Sequence, residues 1–223
     1  MTSIVYRTAT EINSAMTRVY NNMTLAVINS MLVSYFISTS PALMQFLFTG
    51  AMKWIVIFAP LVMILTIGAV MQRASKTQAQ VMLHAFAALM GLSMSTIFVV
   101  YTASSIVSAF MGAAVLFVTM SLYGYFTKTS LDSLGRFMIV GLIAIVIASI
   151  INIFVGSSVA TMVISSLAIV IFLGLTAYDT QKIREMVSTD STGTAEVFGA
   201  LTLYMDFINL FLNLLQLFGG RKD

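Results

Sequence analysis

The sequence predicts an all-α membrane protein with seven transmembrane helices. Of its 223 residues, 59% are hydrophobic and only 9% are charged, and the mean hydropathy is +0.99. An ordinary soluble domain is roughly 45–50% apolar and about 25% charged. The charged residues also fall mainly between long apolar segments. At about 20 residues for each crossing, seven crossings leave no room for a second, soluble domain.

Seven apolar segments are bounded by charged or turn-forming residues, and each is long enough to span a bilayer. They cover residues 22–40, 54–72, 81–101, 105–126, 137–155, 159–180 and 197–218. The first segment ends at Pro41, whose ring fixes φ and removes the amide donor. We expect residues 1–21 to be a retained cytoplasmic tail, because they lack the apolar run of a signal peptide. Residues 22–218 then form a single seven-helix domain, and 219–223 a short C-terminal tail.

The basic residues predict the orientation of the chain by the positive-inside rule. With the N-terminus inside, eight basic residues are cytoplasmic and three are outside. The eight are Arg7, Arg18, Arg73, Lys76, Lys128, Arg136, Lys182 and Arg184, and the three are Lys53, Arg221 and Lys222. A re-entrant last segment would return Arg221 and Lys222 to the cytoplasm, and the sequence leaves this open.

Several functional classes are excluded by composition. The chain has no cysteine, so it has no disulfide framework and no thiolate metal site. Its net charge of +3 is explained by membrane orientation, so we expect the lipid bilayer and not nucleic acid as its partner. No phosphate-binding loop, zinc motif or nucleophile elbow occurs, and we expect neither a bound cofactor nor enzymatic activity.

Two carboxylates lie within the apolar segments. A charge near the bilayer centre costs about 2.5–3.5 kcal/mol on insertion scales, so an intramembrane acid is a functional candidate. Asp206 lies near the middle of the seventh segment, and Asp179 lies close to the cytoplasmic end of the sixth. We therefore identify both as candidate site residues.

Asp206 belongs to a polar stripe on the seventh segment. The stripe comprises Thr202, Asp206, Asn209, Asn213 and Gln216. These residues recur at intervals of three and four, which places them on one face of a helix. The opposite face is apolar, so we expect the stripe to line a pore or cavity.

The sixth and seventh segments are antiparallel neighbours, because a short charged loop joins them. Contact between Asp179 and Asp206 is allowed, and the sequence alone leaves it open. Two touching carboxylates do not readily both ionise, so the pair would share a proton and respond to pH. The same pair would attract Ca²⁺ transiently, because this hard cation prefers oxygen ligands.

Two stretches around these acids carry a family resemblance. Residues 177–183 read AYDTQKI, and residues 203–215 read LYMDFINLFLNLL. Both resemble the Bax inhibitor-one family, the transmembrane Bax inhibitor motif proteins, in its bacterial form. The resemblance covers the whole chain in length and hydropathy, although the N-terminal third matches only loosely. It implies six helices around a central seventh and a pH-dependent Ca²⁺ leak in a bacterial inner (plasma) membrane.

The resemblance also implies roles for three residues. The paired aspartates of the family fall on Asp179 and Asp206, and a basic residue that interacts with this closure region falls on Arg73. Some relatives carry an additional acid in the second helix, whereas residues 54–71 here contain none.

Other functions remain as alternatives. Intramembrane aspartyl proteases need Gly-x-Gly before the second aspartate, whereas here Tyr204 and Met205 precede Asp206. A regulatory protein that binds a membrane protease or a stress-related partner is the main alternative to the leak, and a proton-coupled transporter is another. The sequence does not decide ion selectivity, oligomeric state or which protonation state opens the path.

Overall fold

The computed structural model describes residues 7–71 and 74–222. Within these ranges the secondary structure is helical, which confirms the all-α class. The helices are α1 (Ala9–Ser38), α2 (Pro41–Phe48), α3 (Met52–Met71), α4 (Lys76–Met94), α5 (Ile97–Val100), α6 (Ala103–Phe126), α7 (Asp132–Val155), α8 (Ser158–Thr189) and α9 (Thr194–Phe218).

Five helical stretches are long and apolar enough to cross a membrane: Lys76–Val100, α6, α7, α8 and α9. The pair α1 and α2 meets the same criterion only when taken together, and it bends by 101°. Helix α3 is an apolar helix of 20 residues with Pro60 in its interior. The described residues therefore show a multi-pass membrane protein with five or six such helices, and the count of seven stays a prediction.

Helix α1 begins well before the predicted first apolar segment. Thr8 and Glu11 form a capping box, in which each side chain accepts a hydrogen bond from the other residue's backbone amide. This cap satisfies amide groups that the first turn leaves unpaired. Residues 9–21, which the sequence assigned to a cytoplasmic tail, therefore form the first part of α1.

The turn between α8 and α9 is built by two residues. Gly193 adopts φ +78°, a left-handed conformation that favours glycine. Asp190 accepts hydrogen bonds from the amides of Thr192 and Ala195. Burial opposes ionisation of Asp190, but these bonds outweigh it and hold the pKa of this carboxyl below its ordinary value. The turn thereby fixes the start of α9.

The helices form two packed units that share α8 and α9. The first unit contains α1 to α5, the end of α8 and the first part of α9, through Tyr204. In it, the Ser30 hydroxyl lies 2.7 Å from the Tyr204 hydroxyl and donates to the Ala87 carbonyl at 2.7 Å. Gly91 allows α4 to approach the backbone of Ser30, because any Cβ there would collide with it. The contact thus joins α1, α4 and α9.

The second unit contains α6, α7, most of α8 and the rest of α9 from Met205. Gly124 on α6 lies against the backbone of Ala177 on α8, with no space for a Cβ. Gly135 on α7 similarly faces the ring of Tyr178. Small residues let helices approach closely in lipid, where packing replaces the hydrophobic effect between helices. Glycines therefore set the spacing of α6, α7 and α8.

Candidate functional site

The structure brings Asp179 and Asp206 together in the second unit. Their carboxyl groups face each other, Asp179 on α8 and Asp206 on α9. Asp206 is 4% exposed, whereas Asp179 is partly buried. Two neighbouring carboxylates do not readily both ionise, so this arrangement suits a pair that shares one proton.

One oxygen of the pair is left without a partner. The Oδ2 atom of Asp206 is buried and has no hydrogen-bond partner among the described residues. Leaving a buried acceptor unpaired costs about 1–3 kcal/mol, and more for a charged group. Such an atom in a folded protein calls for a specific explanation, such as a catalytic role or a place for an ion or water.

Helix α8 is held against α6 beside Asp179. Next to the aspartate, the Thr180 and Ser121 hydroxyl groups lie 3.0 Å apart in a buried hydrogen bond. Two residues before it, Ala177 meets Gly124. The position of Asp179 is therefore fixed from both sides along its helix.

The end of α8 beyond Asp179 is bonded to the segment that joins α6 and α7. The Gln181 side chain accepts from the amide of Leu131 at 2.8 Å and donates to the carbonyl of Thr129 at 3.0 Å. Arg184 donates to the Tyr125 carbonyl at 3.1 Å, and its guanidinium lies 4.9 Å from the centre of that ring. Arg184 is thus directed to Tyr125, and the ion pairs found in the described part of the chain leave both aspartates uncompensated.

Arg73, the predicted third member of the site, lies outside the described residues. Its role stays a prediction from the resemblance.

The polar stripe on α9 is present, but its side chains do not bond to one another. Thr202, Asn209 and Asn213 each donate to a carbonyl of their own helix, four residues earlier. Gln216 accepts from Ser165 on α8 at 3.2 Å. Helix α9 is also the most buried of the five candidate spans. In its most apolar 18-residue stretch 67% of the residues are buried, whereas the value is 33% or less in the other four. Whether the stripe lines a pore stays a prediction.

A metal site of fixed composition is not formed by the described residues, which contain no cluster of three or more His, Cys, Asp or Glu side chains. Ca²⁺ takes six to eight oxygen ligands. Two carboxylates alone are compatible with a transient ion that keeps water or backbone ligands.

Sequence reasoning missed Glu196, the second fully enclosed acid. Glu196 is 1% exposed and lies in the first turn of α9, within the first unit. Its Oε1 atom lies 2.6 Å from Arg18 Nη2 and its Oε2 atom 2.8 Å from Lys76 Nζ, while Arg7 approaches at 3.4 Å. An acid at a helix start is ordinary because it complements the helix dipole, so its position carried no signal. The sequence did contain one indication of the ion pairs of Glu196, which is the excess of basic residues predicted on the same side of the membrane.

Comparisons with known proteins agree with this architecture. A family model described as "Inhibitor of apoptosis-promoting Bax1" matches residues 12–223. The inner membrane protein YbhL of Escherichia coli K12 is 40% identical over 214 residues, which cover 93% of this chain and 92% of that protein. A protein of Rickettsia prowazekii is 37% identical over 212 residues, covering 93% and 90% of the two chains. A protein of Borreliella burgdorferi is 36% identical over 217 residues, covering 95% and 94%.

These matches extend over almost the whole chain, including the segments that contain Asp179 and Asp206. The chain therefore belongs to the Bax inhibitor-one family and is a multi-pass membrane protein.

Proposed function

We propose that this protein is a cation leak of the bacterial inner membrane, permeable to Ca²⁺ and gated by the protonation of Asp179 and Asp206. We further propose that the chain crosses the membrane seven times with its N-terminus in the cytoplasm, and that it catalyses no reaction. The 40% identity to an inner membrane protein supports the location. The excess of basic residues on one side supports the orientation.

One observation carries the proposal. Asp206 is buried without a basic partner among the described residues, and it faces a second acid instead. An ion pair or an apolar side chain would stabilise the fold better at this position, since uncompensated polar groups are costly in lipid. The presence of two facing carboxylates is therefore best explained by what they do with protons and cations.

The mechanism follows from the charge of the pair. While the two carboxyl groups share a proton, their hydrogen bond ties α8 to α9 and keeps the path closed. Loss of that proton would set two negative charges against each other, which repels the helices and attracts a divalent cation. Gain of a second proton would remove the negative charge that Arg73 is proposed to hold. Loss of the proton removes the hydrogen bond, and gain of a second proton releases Arg73, so we expect the flux to depend on pH.

The test is Ca²⁺ flux into liposomes that contain the purified protein, measured from pH 5 to 8. We expect a pH-dependent flux in the wild type and loss of that dependence in Asp206→Asn and Asp179→Asn, because an amide does not titrate there. Asp132→Asn is the matched control, since Asp132 is an exposed acid at the start of α7. It should retain the wild-type profile.

Two outcomes contradict the proposal. The leak fails if the wild type matches empty liposomes at every pH, and partner binding then becomes the better hypothesis. The gate assignment fails if the wild type conducts and both aspartate variants keep its pH profile.

A further inference from the structure

The seam between α6 and α9 in the second unit changes character along its length. At the end where α6 begins and α9 stops, it opens into a cavity of about 370 Å³. The lining includes Ser104, Ser105 and Ser108 from α6 and Leu214 and Phe218 from α9. Ser104 and Ser108 are exposed, so this cavity, here called the serine vestibule, is open and has hydroxyl groups that can bind water.

Beyond the serine vestibule the seam is filled by four aromatic rings. Phe110 on α6 lies 5.3 Å from Phe207 and 6.1 Å from Phe211 on α9, between ring centres. Phe117 on α6 lies 5.8 Å from Phe207. All three contacts are edge-to-face, an arrangement that aromatic rings favour. We call these four residues the aromatic cluster.

Past the aromatic cluster the seam is polar again. Asp206 directly precedes Phe207, and its carboxyl group meets Asp179. On α6, Ser121 follows Phe117 by one turn and is hydrogen-bonded to Thr180. From Ser108 to Ser121 the helix rises by about 20 Å. On the face where α6 meets α9, the aromatic cluster therefore lies between the serine vestibule and the aspartate pair.

The aromatic cluster also brings large side chains to a buried face of α6 that otherwise carries small ones. The other residues that α6 buries are Ala109, Ala113, Ser121 and Gly124, all small. Phe117, Phe207 and Phe211 are almost fully buried. Truncating one ring would leave a gap between small side chains, which could join the two polar regions.

A narrow apolar constriction excludes ions because water does not fill it, and channels use such constrictions as gates. We propose that the aromatic cluster is a hydrophobic gate, and that it isolates the aspartate pair from the serine vestibule. The role of the cluster as a barrier to ions rests on the proposed leak. The position of the barrier can nevertheless be tested without measuring any flux.

The first test is the accessibility of single introduced cysteines, which is possible because the chain has none of its own. A charged, membrane-impermeant thiol reagent is added to the side from which Ser108→Cys reacts. We expect Ser121→Cys to react at least about tenfold more slowly, since it lies behind a dewetted barrier. Thr180→Cys, at its hydrogen-bond partner, provides a second reporter in case one substitution disturbs folding.

Opening the barrier should expose these reporters. Phe117→Ala and Phe207→Ala are each combined with a reporter cysteine, and we expect the slow reaction to approach the rate at Ser108→Cys. Phe137→Ala is the matched control, because Phe137 is 72% exposed on α7, and it should leave the rates unchanged. Each variant must elute as a single species before labelling.

Three results overturn the gate. The first is a reporter that reacts as fast as Ser108→Cys in the intact chain, and the second is a reporter that stays slow with both alanine substitutions. The third is a wild-type Ca²⁺ flux that Phe117→Ala does not raise. If the labelling rates follow the expected pattern but neither the wild type nor any variant conducts Ca²⁺, the aromatic barrier is supported and the proposed leak fails. If the wild type conducts Ca²⁺ but the reporter cysteines react as fast as Ser108→Cys, the leak is supported and the barrier fails.

Discussion

Two acids on α9 are buried to a similar degree, but their surroundings are opposite. Glu196 has three basic partners, whereas Asp206 has another acid. Replacing a compensated acid should damage stability, because the cations around it then lack their counter-charge. Replacing an uncompensated acid should relieve a cost and change function. The two residues therefore allow structural and functional roles to be separated within one helix.

Glu196→Gln is expected to destabilise the protein. The substitution leaves Arg18 and Lys76 close together without the carboxylate that pairs with both. Breaking a buried ion pair costs about 3–5 kcal/mol, and we expect the lower end because both basic side chains are partly exposed. Thermal unfolding in detergent measures the effect as a lower Tm.

Asp132→Asn is the control for this substitution, since Asp132 is an exposed acid at the start of α7. It should change Tm little. Equal Tm values for Glu196→Gln and the wild type would contradict a stabilising role for the ion pairs of Glu196. Asp206→Asn, in contrast, should have a Tm no lower than that of the wild type.

At the scale of the helix, glycines decide how closely elements pack. Gly124→Ala should destabilise the protein, because the added Cβ meets the backbone of Ala177, which cannot rotate away. Overpacking of this kind costs about 1–3 kcal/mol. Gly112→Ala is a matched control on α6, since its Cβ would meet only the Leu214 side chain at 3.7 Å. It should be neutral or stabilising, because alanine favours a helix. A Tm for Gly124→Ala at or above that of Gly112→Ala would refute the close-packing argument.

The apolar segments predicted the cores of the helices but not their ends. Hydropathy reports where a helix leaves the membrane, whereas capping decides where it stops. Helix α8 therefore continues to Thr189, beyond the predicted end at 180, and α1 begins at Ala9. The short helix α2 was not predicted, because Pro41 was interpreted as an end although proline is also favoured in a first turn.

The candidate site was predictable in its residues but not in its contacts. A carboxylate in an apolar segment stands out by its insertion cost alone. The pairing of Asp179 with Asp206 depends on tilt and helix spacing, which Gly124 and Ser121 fix through contacts distant in sequence. Glu196 could not be distinguished from an ordinary first-turn acid, because its partners lie far away along the chain.

For the whole molecule, the class was predictable because the apolar composition extends over the entire chain, and the family because two motifs lie at 177–183 and 203–215. The number of crossings was not, since α1 and α2 have the length and hydropathy of a crossing only together and are bent by 101°. We expect seven crossings, which place the α8–α9 turn and the segment after α9 on opposite sides. Helix α9 supports this, because it runs unbroken from Thr194 to Phe218.

Labelling of two single cysteines measures this topology. Ser191→Cys, in the exposed α8–α9 turn, should react only with a reagent on the cytoplasmic side. Arg221→Cys should react only from outside. Labelling of both positions from the same side would show that α9 does not cross, as in the re-entrant alternative. The reverse pattern would contradict the orientation that the basic residues predict.

The ion pairs of Glu196 also constrain how the chain can assemble. Its partners Arg7, Arg18 and Lys76 precede it by 189, 178 and 120 residues. During synthesis these three basic residues therefore emerge long before the carboxylate that neutralises them. The first unit reaches its final charge balance only after α9 has emerged and been inserted. Truncated or stalled chains should accordingly carry an unneutralised basic cluster, a feature by which membrane quality control could distinguish them from finished protein.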